Sequence, residues 1–329
     1  MRRRDFIAGL GGTAAWPLAA WSQQQPMPVI GFLDSERPAG TGPLESVGIA
    51  FRQGLLEAGY VGGMNVEIAP RFAETHYDRL PVLAAELVRR GVAVIFATGI
   101  PASALAAKAA TAVIPIIFLT GADPVELGLV GSLSRPGANI TGVTFPTAEL
   151  TAKRLELLHE TVPMVGSIGW LRDPTTLREA QIRKVETTAQ TLGVRLVIAN
   201  ARAPSEIETA SANLIGQGVG ALLVGTDVIV GTDVLGQLVG LTARRDLPAI
   251  YPVRQCAEAG GLMSYHANLA DAVQLAAAYT ARILKGEKPA DLPVRQSTRL
   301  ELVVNRNTAK WLGIEVPASI LSRADGVID

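Results

Sequence analysis

Short, fully apolar runs alternate along the chain with stretches whose apolar residues recur every three or four positions. Pro28–Leu33 (PVIGFL) is the first such run and reads as a buried strand. Next, Leu44, Val47, Phe51, Leu55 and Ala58 share one helical face, and Gly59 offers a stop. Val66–Ala69 is a second strand. Leu80, Leu83, Ala84, Leu87 and Val88 form the next helical stripe, closed by Gly91. Val92–Ala97 (VAVIFA) is a third strand, an alanine-rich helix follows near 102–110, and Ile114–Leu119 is a fourth strand. Strands apolar on both sides, alternating with amphipathic helices, predict a parallel sheet covered on both faces.

The rhythm restarts after Gly142. Leu150–His159 reads as a helix and Ser167–Leu171 as a strand. Ile182, Val185, Ala189 and Leu192 lie on one helix face, and Val194–Ala199 is a strand. Ser205 is the expected cap of a helix through Leu214, with Glu206 and Glu208 near its positive end. Ala221–Val224 and Ala249–Tyr251 are strands around a helix over Val234–Arg244. The last stretch breaks the pattern: Gly261–Tyr265 is extended, Ala270–Leu284 helical, Leu300–Val304 strand-like and Thr308–Leu312 a short helix.

The fold class is therefore α/β, with two Rossmann-like lobes joined by hinge crossovers around a central cleft. The expected division gives one lobe residues 28–145 plus about 266–300, and the other 146–265. Residues 301–329 pack near the hinge, with their lobe left open.

Composition narrows the function. The chain has 329 residues, 48% hydrophobic, with 30 basic and 30 acidic side chains, so no basic excess points to nucleic acid. The first 22 residues, MRRRDFIAGLGGTAAWPLAAWS, put Arg3 and Arg4 before a short Gly/Ala-rich apolar run. That run is too short to span a bilayer stably, and the arginine pair has the twin-arginine export pattern. Cleavage near Ser22 and a periplasmic location follow as expectations. Cys256 is the only cysteine, so no internal disulfide forms, and it is read as a small packed residue.

Catalytic signatures are missing. The three histidines, His76, His159 and His266, have no metal-type spacing. There is no HExxH, GxSxG, CxxC or GxxxxGK[ST]. Neither an enzyme nor a cofactor is expected, although a carboxylate-based site would leave weaker traces. In open parallel sheets ligands gather beyond the carboxyl ends of the strands. That rule selects Asp34 and Ser35, Thr98 and Gly99, and Thr120 and Gly121 in the first half. In the second half it selects Arg172 and Asp173, Thr226 and Asp227, Tyr251, and Ser264 with Tyr265. Hydroxyls and backbone N–H groups suit a carboxylate, an acidic side chain suits an ammonium group, and a tyrosine suits an apolar wall. Each single Ser, Thr or Tyr has an ordinary turn or cap as its competing role. Asp173 before Pro174 reads equally as a turn, and Asp233 repeats the GTDV context of Asp227. Asp123 before Pro124 has the pattern of a helix N-cap, with Ile140–Val143 carrying the chain toward the second lobe.

Several long segments have a family likeness. AFRQGLLEAGYVGGMNVEI, YDRLPVLAAELVRRGVAVIFA and DPVELGLVGSLSRPGANITGVT are three of them, with LELVVNRNTAKWLGIEVP near the end. Together the chain resembles the ABC transporter substrate-binding family within the type I periplasmic binding proteins. That resemblance implies two α/β lobes closing on a small ligand, which is handed to an inner-membrane ABC permease and its ATPase. Some members are similar to aromatic amino acid binders. Ligand positions implied by the resemblance are Ser35, Thr98, Thr120, Asp227, Tyr251 and Ser264. The chain departs from the family pattern at GFLDSERP, at Tyr265-His266 in place of Tyr-Gly, and at GTDVIV. A monomeric importer receptor for a small zwitterion is the expectation, and a sensory receptor presenting its ligand to a membrane protein is the alternative.

Overall fold

The computed structural model describes residues 27–36, 45–145, 147–174, 179–226 and 232–329. The first half runs β1 (Val29–Asp34), α1 (Glu45–Glu57), β2 (Glu67–Phe72), α2 (Leu80–Arg89), β3 (Val94–Thr98), α3 (Pro101–Ala110), β4 (Ile116–Thr120) and β5 (Ile140–Thr144). The second half runs α4 (Thr147–Thr161), β6 (Ser167–Arg172), α5 (Glu179–Leu192), β7 (Arg195–Asn200), α6 (Pro204–Gly216), β8 (Ala221–Val224), α7 (Thr232–Ala243) and β9 (Ala249–Tyr251). Then come α8 (Arg254–Glu258), β10 (Met263–Ala267), α9 (Leu269–Leu284), β11 (Arg295–Gln296), β12 (Leu300–Asn305), α10 (Arg306–Trp311), α11 (Ala318–Leu321) and β13 (Gly326–Ile328).

These strands make two sheets. One has the order β11-β5-β4-β3-β1-β2 and the other β13-β12-β10-β9-β8-β6-β7. Every pair in the first sheet is parallel. The second is parallel except where β12 runs antiparallel to β10. Continuous apolar strands such as β3 and β4, buried at every position, need cover on both faces. In the first sheet α1 and α9 supply one face and α2 and α3 the other. In the second, α4 and α5 cover one face and α6, α7 and α8 the other.

The chain passes between the sheets at three places: after β5, between β10 and α9, and between β11 and β12. The middle passage sends α9 back to the first sheet, where it packs along α1. Gly54 allows that approach, because a Cβ there would lie 2.7 Å from the Ala277 Cβ. Beneath α1, Phe51 stacks on Phe96 at 4.4 Å between ring centroids and 3° between planes. Beyond its buried area, such a pair adds about 1 kcal/mol.

Local differences from the sequence reading have simple causes. The second strand runs on to Phe72 through Pro70, which is tolerated because β2 is an edge strand and needs no N–H there. Ser205 is not the cap of α6: the cap position is Ala203, with Pro204 in the first turn, and Glu206 instead accepts the Arg202 N–H at 2.8 Å. Asp123 accepts the N–H groups of Val125 (2.8 Å) and Glu126 (3.2 Å), but it caps a run of turns rather than a helix. The stretch from Ile140 becomes β5, a full strand of the first sheet. Among the described residues no helix is long and apolar enough to cross a membrane.

Candidate ligand cleft

Parallel pairing brings the carboxyl ends of β5, β4, β3 and β1 to one edge of the first sheet. In register, Thr144 stands beside Thr120 and Thr98 beside Asp34. All four are buried. Ser35 is fully buried: its Oγ accepts the Ile100 N–H at 3.1 Å, at the start of α3, and donates to Glu36 Oε1 at 3.1 Å. Thr120 Oγ1 accepts the Ala122 N–H at 3.1 Å, so that hydroxyl shapes its own turn. Gly99 lets the β3 loop approach Ser35. Its φ is +88°, and a Cβ there would stand 2.1 Å from Ser35 Oγ. Gly99→Ala should therefore cost about 2 kcal/mol from positive φ and overpacking together. Denaturant midpoints would show it, and a wild-type midpoint would mean that the loop relaxes freely.

Two carboxyl groups are buried at this edge. Asp34 Oδ1 accepts the Glu36 N–H at 3.0 Å. Burial lifts the Asp34 carboxyl to about 6, and it lifts Glu36 as well. The Tyr77 hydroxyl is pushed up to about 12, mainly by burial and then by Glu36 and by Asp173. Glu36 and Tyr77 belong to the first half, whereas Asp173 follows β6. The Asp173 charge after β6 thus reaches a hydroxyl of the first half.

Nearer the crossovers is a cavity of about 270 Å³. Phe145 and Leu150 wall it from the first passage and α4, while Tyr265 and Leu269 wall it from the second passage. Thr226 and Pro252 close it at the ends of β8 and β9. Phe145 N–H donates to Thr120 O at 3.2 Å, so the cavity wall is continuous with the strand-end row of the first sheet. Ligand pockets for drug-sized molecules span roughly 300–1,000 Å³. This one suits something smaller.

Arg154 is the buried cation of the wall, 1% exposed. It donates to Thr226 Oγ1 at 2.8 Å, Thr151 Oγ1 at 3.0 Å, Leu150 O at 3.3 Å and Val224 O at 3.5 Å. The side chain thereby ties α4 to the end of β8. Burial lowers the His266 pKa against the opposing pull of Glu301, whose Oε2 lies 3.9 Å from His266 Nε2. Among the described residues no three His, Cys, Asp or Glu side chains gather as a metal site.

Comparison with known proteins decides the family. The model described as "ABC transporter substrate binding protein" matches residues 44–328, most of the chain. The chain belongs to this family. A tyrosine-binding protein of Clostridioides difficile (strain R20291) is 27% identical over 269 residues, covering 80% of this chain and 76% of that protein. The structure of an ABC domain in complex with L-Trp from Streptococcus pneumonia superposes with a TM-score of 0.79 at 27% identity, covering 92% and 99% of the two chains. A ligand-free, open substrate binding protein from Clostridium difficile gives 0.68 at 24% identity, with the same coverage. The fold is that of the type I periplasmic binding proteins, and the family is one of solute receptors rather than enzymes.

In this substrate-binding protein the residues selected from strand ends have separate fates. Asp34, Ser35, Thr98 and Thr120 form the row on the first sheet, with half-buried Gly121 next to Thr120. Tyr265 and Thr226 line the cavity. Tyr251 does not: it is fully buried, and its hydroxyl lies 2.6 Å from Thr242 Oγ1 in the core beneath α7. Burial pushes that phenol above its ordinary value. Ser264, beside Tyr251 in the sheet, is likewise fully buried, with no partner for its Oγ. Both are packing positions, because the side chains in this register point into the helix layer instead of past the strand ends. Cys256 lies in the same core, its thiol pushed up to about 12 by burial. Asp227, Arg3 and Arg4 lie outside the described residues.

Sequence reasoning missed Phe145, Arg154, Asn268 and Glu301. One signal was available for Arg154. Leu150, Arg154, Leu157 and Leu158 follow helical spacing, so a cation stands within the apolar stripe of α4.

Proposed function

We propose that this protein is a periplasmic receptor that binds an L-amino acid with an aromatic or branched apolar side chain and delivers it to an ABC permease. The observation that carries the reading is the small, mainly apolar cavity at the crossovers, with Arg154, Thr226, Asn268 and Glu301 among its few polar lining groups. An aromatic or branched side chain fits such walls, and its polar end requires the few placed polar groups. The tyrosine- and tryptophan-binding relatives support the same ligand class. Ligand contacts from both lobes favour a closed form, and the closed form is the one presented to the permease. The arginine-led segment 1–22 serves export in this reading.

Titration calorimetry and thermal unfolding with the twenty L-amino acids test it. An aromatic or branched amino acid at a hundred times its Kd should stabilise the protein by about 2.7 kcal/mol. Silence across the whole panel would remove the amino-acid reading.

A further inference from the structure

We infer that Glu301 recognises the ammonium group of the ligand, a step that rests on the amino-acid reading above. Glu301 stands at the start of β12, just after the third passage between the sheets, and lines the cavity. Its Oε1 accepts a hydrogen bond from Asn268 Nδ2 at 2.5 Å. Asn268 is itself fixed twice. Its backbone N–H donates to Arg299 O at 2.8 Å, and its Oδ1 accepts the Asp271 N–H at 2.8 Å, capping α9. The carboxylate is therefore aimed by two of the three crossovers.

Among the described residues the other oxygen, Oε2, makes no hydrogen bond. Arg254 Nη1 and His266 Nε2 each stand 3.9 Å from Glu301 Oε2, at the outer limit of ion pairing and beyond hydrogen-bond reach. Arg254 already donates its Nε to Glu258 at 2.7 Å. Burial disfavours the charged form of His266. The side chain of Glu301 is only 17% exposed. Among the described residues it is also the only carboxylate on a cavity wall that is otherwise mostly apolar. A partly desolvated carboxylate oxygen with unused acceptor capacity favours a cationic donor, because a charge-assisted bond replaces lost water. A ligand bearing a carboxylate alone would instead meet like charge at this end of the cavity.

Two matched pairs of ligands separate this role from a purely structural one. L-Tyrosine is compared with 3-(4-hydroxyphenyl)propanoate, and L-leucine with 4-methylpentanoate, by calorimetry on the wild type and Glu301→Gln. Glutamine keeps an acceptor for Asn268, so the crossover contact survives. The wild type should bind the amino acid of at least one pair and discriminate against its amine-free counterpart. Glu301→Gln should weaken the amino acid about 10- to 100-fold and leave the amine-free ligand unchanged, collapsing the discrimination. Glu301→Asp, which keeps the charge and withdraws it by one methylene, should also weaken the amino acid, and it covers the case in which the glutamine variant does not fold. Unchanged amino-acid affinity in either variant, or equal loss for both members of a pair, overturns the inference while leaving the amino-acid reading standing. A wild type that binds neither amino acid overturns the inference; silence across all twenty overturns that reading as well.

Discussion

Arg154→Met should lower the unfolding free energy by about 2–3 kcal/mol, because buried acceptors lose the charged donor they share. The guanidinium is 1% exposed and reaches Thr226 Oγ1, Thr151 Oγ1 and the carbonyls of Leu150 and Val224. Methionine fills part of the volume but donates nothing, so those buried acceptors lose their donor. Arg154→Lys should recover only a fraction, since one ammonium on a linear stem cannot span α4 and β8 with the same fork. Under the proposed function the loss should extend to binding, because Arg154 and Thr226 form adjoining parts of the cavity wall. Denaturant unfolding of the wild type, Arg154→Met and Arg154→Lys provides the check. A loss below 1 kcal/mol in the methionine variant would show that α4 and the end of β8 hold together without this side chain.

Asp34→Asn should act in the opposite direction. The Asp34 carboxyl rises from 3.8 to about 6 on folding, chiefly through burial. A group that binds its proton more tightly in the folded state adds stability that is fully present below the unfolded value. That stability is lost as pH rises through the folded one. For this shift the loss is about 3 kcal/mol between pH 3.8 and a little above 6. Asparagine cannot ionise, yet its Oδ1 can still accept the Glu36 N–H. The variant should therefore exceed the wild type by up to about 3 kcal/mol at pH 7.5 and converge with it near pH 4. Unfolding free energies measured from pH 4 to 8 on both proteins test this. Parallel curves would mean that Asp34 titrates normally in the folded chain.

Much of the architecture was readable along the chain. Runs such as Val92–Ala97 and Ile114–Leu119 can only be buried on both sides, and the stripe Leu80, Leu83, Ala84 and Leu87 can only be one face of a helix. Those local periods, with the rule that ligands gather at strand ends, were enough to place Asp34, Ser35, Thr98 and Thr120 on one edge. Short elements escaped. β11 has two residues and β13 three, and each exists only because a neighbouring strand already offers hydrogen-bonding groups.

Alternation and spacing determined two α/β lobes, their helical faces and the strand ends that carry polar side chains. The tertiary structure decided which of those side chains line the cavity. Tyr251 and Ser264 look like Tyr265 from the sequence, because strand register alone assigns them to opposite faces of the second sheet. Phe145, Arg154, Asn268 and Glu301 are separated by as much as 156 residues and meet only where the crossovers converge. Secondary structure is set by interactions within a few residues, which a sequence displays. A cavity built from three passages between two sheets is set by long-range packing, and no local pattern records it.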